Sequence, residues 1–273
     1  MRIACFECDH RISIGALTET GIIDLAPLLA RDDPQSMLER LIDEREQLSD
    51  AIAELCRTAP VHPLSSIAAC ASVPSPGKVL CVMRNRPALE ETPSPPWAYL
   101  KYAGGGVGTE GVLRLPPGER ALRFEPEIAV VVRGPARNVP RDAWRDAVFG
   151  FTGFLDVVRP GSALGRTGDQ DWWKSWDTAF AVGPTIVTDL GAGDPGRGLS
   201  LAVTDPSGTV SVQDPGRPSL GEIIAFLSSV MTLRSGDLIA CGAHEAAVLA
   251  AAPGSRAQLQ LPECGSLRVE AAA

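Results

Sequence analysis

The sequence predicts a mainly β protein of the α+β class, and three observations carry that prediction. Apolar residues recur with a period near two in most segments, from the opening MRIACFECDHRISIGAL to the closing RAQLQLPECGSLRVE. Gly (27) and Pro (23) are plentiful among the 273 residues while aromatics are only 5%, so many turns separate short strands. Strand–helix alternation is too irregular for a doubly wound parallel sheet, and no repeat period is visible.

Taken in order, residues 1–25 read as a small β-meander, with polar or Gly turns between the apolar runs. From Asp33 to Cys56 the pattern is helical: Met37, Leu38, Leu41, Ile42 and Leu48 fall mostly on one face, and Pro34 sits near the start. A Pro/Ser-rich stretch from Pro60 to Gly77 is the candidate linker. It divides the chain into a small N-terminal α/β domain, residues 1–72, and a larger domain, residues 73–273. GKVLCVMRN is a buried strand, PALEETPSPPW a Pro-broken loop and AGGGVGTEG a Gly-rich loop. RFEPEIAVVVRG is a strand, RDAWRDAVFGFTGFLDVV a helix running into a strand, and DTAFAVGPTIVT another strand. LSLAVTDPSGTVSVQ is a hairpin turning at Pro-Ser-Gly. SLGEIIAFLSSVMTL is a helix with Ser219 as N-cap and Glu222 three residues on, a capping box. SGDLIACGA and RAQLQLPECGSLRVE close the chain as strands.

Composition excludes several function classes. The formal charge is 25 − 33 = −8, the wrong sign for a general nucleic-acid binder. No apolar run approaches the roughly 18 residues of a membrane span, and the N-terminus lacks a basic stretch followed by an apolar one. Seven cysteines at irregular spacings suit a reducing compartment, so a cytoplasmic location is expected. Three histidines argue against a His-based metal site.

Glu125 and Glu127 lie one residue apart in a strand, so their carboxylates share a face, while Ile128, Val130 and Val132 point the other way. Two parallel carboxylates repel unless a cation or a proton lies between them. Asp156 follows another apolar strand, FTGFL. Three carboxylates without His or Cys favour a hard cation such as Mg²⁺, Mn²⁺ or Ca²⁺. From spacing alone, a solvated strand face with scattered acids is the competing reading.

The order of motifs adds to this. The run PxPGKVLCVMRN, LK, FEPEIAVVVRGxARNV, GFTGFLDVV, WWKSWDTAFAVGP and LGEIIAFLSSVMTLRSGDLIACG resembles the fumarylacetoacetate hydrolase (FAH) family over roughly Val73 to Glu270. The resemblance implies an FAH-like twisted β-roll catalytic domain, a homodimer, and a divalent cation, Mg²⁺ or Mn²⁺, held by Glu125, Glu127 and Asp156. The family's Lys-Ser-Phe-Asp motif stands here as Lys174-Ser175-Trp176-Asp177. It implies that Lys174 pairs with a substrate carboxylate or oxyanion and that Asp177 is structural. Lys101, at the family's Leu-Lys position, is expected to line the cleft. The implied partner is a small-molecule oxo-acid or dicarbonyl substrate, with no nucleic acid and no membrane.

The chain also departs from the family's pattern. The lid motif Asn-Tyr-x-x-His-x-x-Glu is replaced by Asn85-Arg86-Pro87-Ala88-Leu89-Glu90-Glu91-Thr92, so Leu89 and Thr92 stand where the proton-moving pair would be. Glu91 is a candidate substitute; the alternative is a solvated loop acid. The Thr-Gly-Thr-Pro turn becomes Cys241-Gly242-Ala243-His244: Ala243 removes a hydroxyl at a substrate position, and His244 brings an imidazole one residue later. The family's Asn-Asp-Val-Ser-Ala-Arg-Asp stretch stands here as Leu155-Asp156-Val157-Val158-Arg159-Pro160-Gly161, keeping the aspartate and the following valine and changing the polar groups around them. Arg84, at the end of a strand, is a candidate carboxylate clamp. Trp172 and Trp173 either line a substrate mouth or fill core. Cys5 and Cys8 would face opposite sides of a strand, which argues against a zinc or redox pair. The Gly104–Gly111 segment lacks a Gly-Lys-Ser/Thr and reads as a flexible cover near the site.

The reading is therefore a metal-dependent enzyme that acts on a 2-oxo acid or β-dicarbonyl compound by hydrolytic or decarboxylative C–C cleavage. Two alternatives stand beside it. One is a repurposed isomerase, tautomerase, cyclase or lyase on a larger metabolite; the other is a non-catalytic binding protein on the same fold.

Overall fold

The computed structural model describes residues 1–83, 97–159, 174–189, 199–213, 220–243 and 247–273. The meander is β1 (Arg2–Cys8), β2 (Arg11–Leu17) and β3 (Ile22–Asp24), followed by α1 (Ala26–Leu29), α2 (Pro34–Asp43) and α3 (Ser49–Thr58). Next come β4 (Ala68–Ala69), β5 (Val79–Met83), β6 (Trp97–Lys101), β7 (Gly106–Val107), β8 (Gly111–Arg114), β9 (Leu122–Val132), β10 (Val148–Val158) and β11 (Phe180–Val187). The hairpin β12 (Ser200–Asp205) and β13 (Gly208–Gln213), helix α4 (Leu220–Val230), β14 (Leu238–Ala240), β15 (Leu249–Ala251), β16 (Arg256–Leu261) and β17 (Gly265–Ala272) complete the chain.

Two sheets result. The larger runs β3-β2-β1-β11-β10-β9-β14-β5-β6, with β15 on β9, β4 on β1 and β7 on β11; the smaller runs β13-β12-β16-β17-β8. The smaller sheet packs on one face of β9–β11, enclosing Phe124, Leu155, Val157, Leu201, Leu259 and Val269. Helix α4 covers the same face further along, with Ile223, Ile224 and Leu227 against Val130, Val132 and Ile239. The opposite face carries Phe154, Phe180, Ala129 and Val131, packed with residues of α1 and α2 and with Cys81 and Tyr99. Strand alternation thus sends β9 side chains into two cores. The acidic cluster lies on the second face.

The structure departs from the sequence reading in four places. The helix expected from Asp33 to Cys56 is two helices, α2 and α3, separated by turns at residues 44–48. Helix α2 buries Met37, Leu38, Leu41 and Ile42, whereas α3 buries Ile52. An unbroken helix would run roughly 36 Å and leave the core behind; the break lets Leu48 and Leu55 stay packed on it. The segment Arg141–Ala147 is a 3₁₀ helix rather than α. It starts after Pro140 and runs directly into β10. The Pro/Ser-rich stretch is bound rather than free: β4 pairs with β1, and buried Ser72 Oγ lies 3.0 Å from Thr152 Oγ1. Within the Gly-rich segment, read as a loop, Gly106–Val107 form a short strand paired with β11. A Cβ on Gly106 would meet the Phe180 ring at 2.6 Å, so glycine here permits β7 to approach β11.

Ser219 of the expected capping box lies outside the described residues. All seven cysteines are free thiols. No helix among the described residues is long and apolar enough to cross a membrane.

Candidate active site

The site begins with a register. In the antiparallel β9–β10 pair, Asp156 stands directly opposite Glu125, and Phe154 opposite Glu127. Directly opposed residues share a face, so Asp156 joins the two glutamates that alternation already aligns. One carboxylate oxygen from each lies within 4.8 Å of the others. On its other edge β9 pairs with β14 at Ala129–Val131 and with β15 at Leu122–Phe124. Pro126, which has no N–H to give a ladder, stands in the interval between those partners. There Glu127 Oε2 accepts the Gly242 N–H at 2.6 Å, just beyond the end of β14.

Strand β6 is four places from β10 in the sheet order, yet it reaches Asp156. Tyr99 Oη donates to Asp156 Oδ2 at 2.8 Å. Lys101, two residues on and on the same face, has a fully buried side chain; it pairs with Asp156 Oδ1 and donates to the Val157 carbonyl at 3.1 Å. The sheet must curl strongly for β6 to close over β10 in this way. Lys174, at the start of the segment leading into β11, puts Nζ 2.8 Å from Glu125 Oε2 and 2.7 Å from Asp156 Oδ2. Its ammonium also lies 5.2 Å from the Tyr99 ring centroid.

Three carboxylates and two lysines leave the cluster at a formal charge of 2 − 3 = −1. The charge is shared unevenly. Burial would raise the Asp156 pKa, but Lys101 and Lys174 outweigh it and bring the carboxyl down to about 2. Burial, Asp156 and Glu125 instead push the Glu127 carboxyl well above the usual range, with Lys174 and the Gly242 N–H opposing. For Lys174, burial works against the charged form, yet Asp156 and Glu125 raise its pKa above the ordinary lysine value. The ammonium therefore persists at any physiological pH.

The donor set suits a hard divalent cation. It is all oxygen, it carries net negative charge, and Glu127 is a buried carboxylate (3% exposed) without a lysine of its own among the described residues. A cation placed there would be held by Glu125, Glu127 and Asp156.

The residues picked out in the sequence fall into two groups. Glu125, Glu127, Asp156, Lys101 and Lys174 are brought together. Ala243, half-buried, follows the glycine that bonds Glu127. Arg84, Glu91, Trp173 and His244 lie outside the described residues, as do Leu89 and Thr92. Asp177 is exposed. Sequence reasoning missed Tyr99 and the Gly242 N–H. The signal for Tyr99 was present: Tyr99 and Lys101 are two apart on a strand, so one face carries both.

Residues 69–271 match the C-terminal domain of fumarylacetoacetate (FAA) hydrolase. The chain belongs to the fumarylacetoacetate hydrolase family. It is an FAH-family enzyme, and its relatives include tautomerases and a hydrolase. Among them is the Bos taurus mitochondrial oxaloacetate tautomerase FAHD2A, 29% identical over 258 residues, covering 89% of this chain and 80% of that one. Among solved structures, maleylpyruvate hydrolase from Sphingobium sp. SYK-6 superposes with a TM-score of 0.80 at 27% identity, over 100% of this chain and 99% of that one. A second structure of that hydrolase, in complex with manganese(II) ion and pyruvate, gives a TM-score of 0.78 at 25% identity, with the same coverage. FAH-family membership and the full-length superposition agree with the mainly β architecture and its N-terminal α/β part.

Proposed function

We propose that this FAH-family enzyme holds Mg²⁺ or Mn²⁺ on Glu125, Glu127 and Asp156 and interconverts the keto and enol forms of a small 2-oxo acid. The convergence of the three carboxylates with the Lys174 ammonium carries this reading. A bound divalent cation supplies Lewis acidity toward a 2-oxo oxygen. Lys174, charged and aimed into the cluster, offsets negative charge on a substrate carboxylate or an enolate oxygen. Arg84, Trp173 and Ala243 are proposed to bind the substrate, and His244 or Glu91 to carry the proton. Manganese and pyruvate in the related hydrolase structure, and oxaloacetate in the name of the bovine relative, support a small oxo acid.

Decarboxylation of a β-oxo acid draws on the same electron sink and is the second reading. Hydrolytic C–C cleavage needs an activated water, and Leu89 and Thr92 replace the residues that would provide it. We also propose a cytoplasmic location and a homodimer.

The test is proton NMR in deuterated buffer with Mg²⁺, using oxaloacetate and acetylpyruvate in separate tubes. Mg²⁺ alone and chelator-treated protein are the blanks. The expected result is Mg²⁺-dependent, protein-dependent deuterium exchange at C3 of oxaloacetate, lowered roughly 100-fold by Glu127→Gln, the scale of losing one preorganised electrostatic group. Net pyruvate from oxaloacetate would move the assignment to decarboxylation, and acetate plus pyruvate from acetylpyruvate to hydrolysis. No protein-dependent change in either tube would overturn the proposal.

A further inference from the structure

We propose that Tyr99 is a positioning residue for the cation site, holding Asp156 in orientation while Lys174 turns to the substrate. The inference rests on the reading of Glu125, Glu127 and Asp156 as cation ligands, and concerns what keeps one of those ligands in place.

Asp156 is fully buried and receives three donors: Lys101 on Oδ1, and Tyr99 Oη and Lys174 Nζ together on Oδ2, at 2.8 and 2.7 Å. A carboxylate offers about four lone-pair sites. Three donors and one cation fill them, so ligation is compatible with the whole set only if every donor keeps to its own site. The donors differ in freedom. Lys101 is anchored by its second bond, to the Val157 carbonyl, and its side chain has no exposed surface. Lys174 is divided between Asp156 and Glu125. It is also the ammonium that the proposed mechanism commits to the substrate. Tyr99 is fixed by its strand: Cys81↔Tyr99 is a register pair of β5 and β6, and the ring is 6% exposed within the core.

When Lys174 leaves, Tyr99 is the donor among the described residues that still holds Oδ2. A phenol suits the task because it donates without adding charge. Its ring adds a second function. The Lys174 ammonium lies 5.2 Å from the centroid, within cation–π range, so the same side chain gives Lys174 a surface to slide across. Without the hydroxyl, Lys174 would be the remaining donor to Oδ2 among the described residues. That would tie the lysine to Asp156 and let the carboxylate rotate once the lysine departs.

Partners that orient ligating groups usually account for 10–100-fold in metal affinity. Mn²⁺ binding to the full-length protein is therefore measured by electron paramagnetic resonance of the free ion, for wild type, Tyr99→Phe and Glu127→Gln. Tyr99→Phe is expected to bind Mn²⁺ about 10-fold more weakly. Wild type is also labelled with 3-fluorotyrosine. The chain has two tyrosines, so two ¹⁹F lines are expected, assigned with Tyr102→Phe, and Mg²⁺ should shift the Tyr99 line. This readout needs no change at Tyr99 and is independent of whether Tyr99→Phe folds. Equal Mn²⁺ affinity in Tyr99→Phe, or an unmoved Tyr99 line at saturating Mg²⁺, overturns the inference and leaves the cation site standing. Glu127→Gln binding Mn²⁺ as well as wild type overturns the cation reading, and the inference with it.

Discussion

Glu127 has no lysine bonded to it among the described residues. Its neighbours on the same face, Glu125 and Asp156, share Lys174, and Asp156 has Lys101 as well. Glu127 has a backbone N–H. Its raised pKa means that the folded protein holds a proton that the unfolded chain releases above about pH 4.5. Stability contributed by that proton is present at low pH and lost as pH rises through the folded-state value. In chelator-treated protein, Glu127→Gln should therefore unfold at a higher urea concentration than wild type at pH 8, and the gap should close toward pH 4. A constant gap across that range would show that burial of the charge is not what sets it. The glutamate pair and Asp156 were legible in the sequence because strand alternation is a local rule. Tyr99 and the Gly242 N–H were not, because β6 reaches Asp156 only through the curl of the whole sheet. The link from Lys101 to the cleft came from resemblance; its bond to Asp156 is a fact of the folded sheet.

Among the elements, α2 shows how a short helix is fixed locally before the core holds it. Asp33 caps it, accepting the Ser36 N–H at 2.9 Å and the Ser36 hydroxyl at 2.6 Å, and Pro34 supplies the first helical φ. Asp33→Ala should cost about 1 kcal/mol in urea unfolding and leave catalysis untouched, since the cap is on the surface. Strands such as β5, β9, β11 and the β12–β13 hairpin were legible from period-two runs and turn residues. The split between α2 and α3 was not. The apolar spacing continues through residues 44–48, and the break is imposed by the core that Leu48 and Leu55 must stay against. The closeness of the Gly-rich segment to β11 was also hidden, because glycine reads equally as freedom or as room for a neighbour.

Across the whole molecule, the N-terminal strands are part of the catalytic sheet. Strand β1 pairs with β11 at Arg2↔Val187 and Ile3↔Ile186. Ile3, Cys5, Ile14, Leu38 and Leu41 share one core with Val131, Phe154 and Phe180. Deleting residues 1–72 should bare that core and open a sheet edge, giving insoluble or aggregated protein in a soluble-fraction and size-exclusion assay. A soluble, monodisperse 73–273 fragment would show that the division seen in the sequence is also a division in folding. The pairing of Glu125 with Asp156 has its own bearing on descent. Moving β10 by one residue would send Asp156 through to the opposite core, and moving β9 by one would send both glutamates. Changes in the connections between strands leave this register untouched. The register of β9 on β10 is closed to such changes, and the three-carboxylate cluster is kept whole or lost.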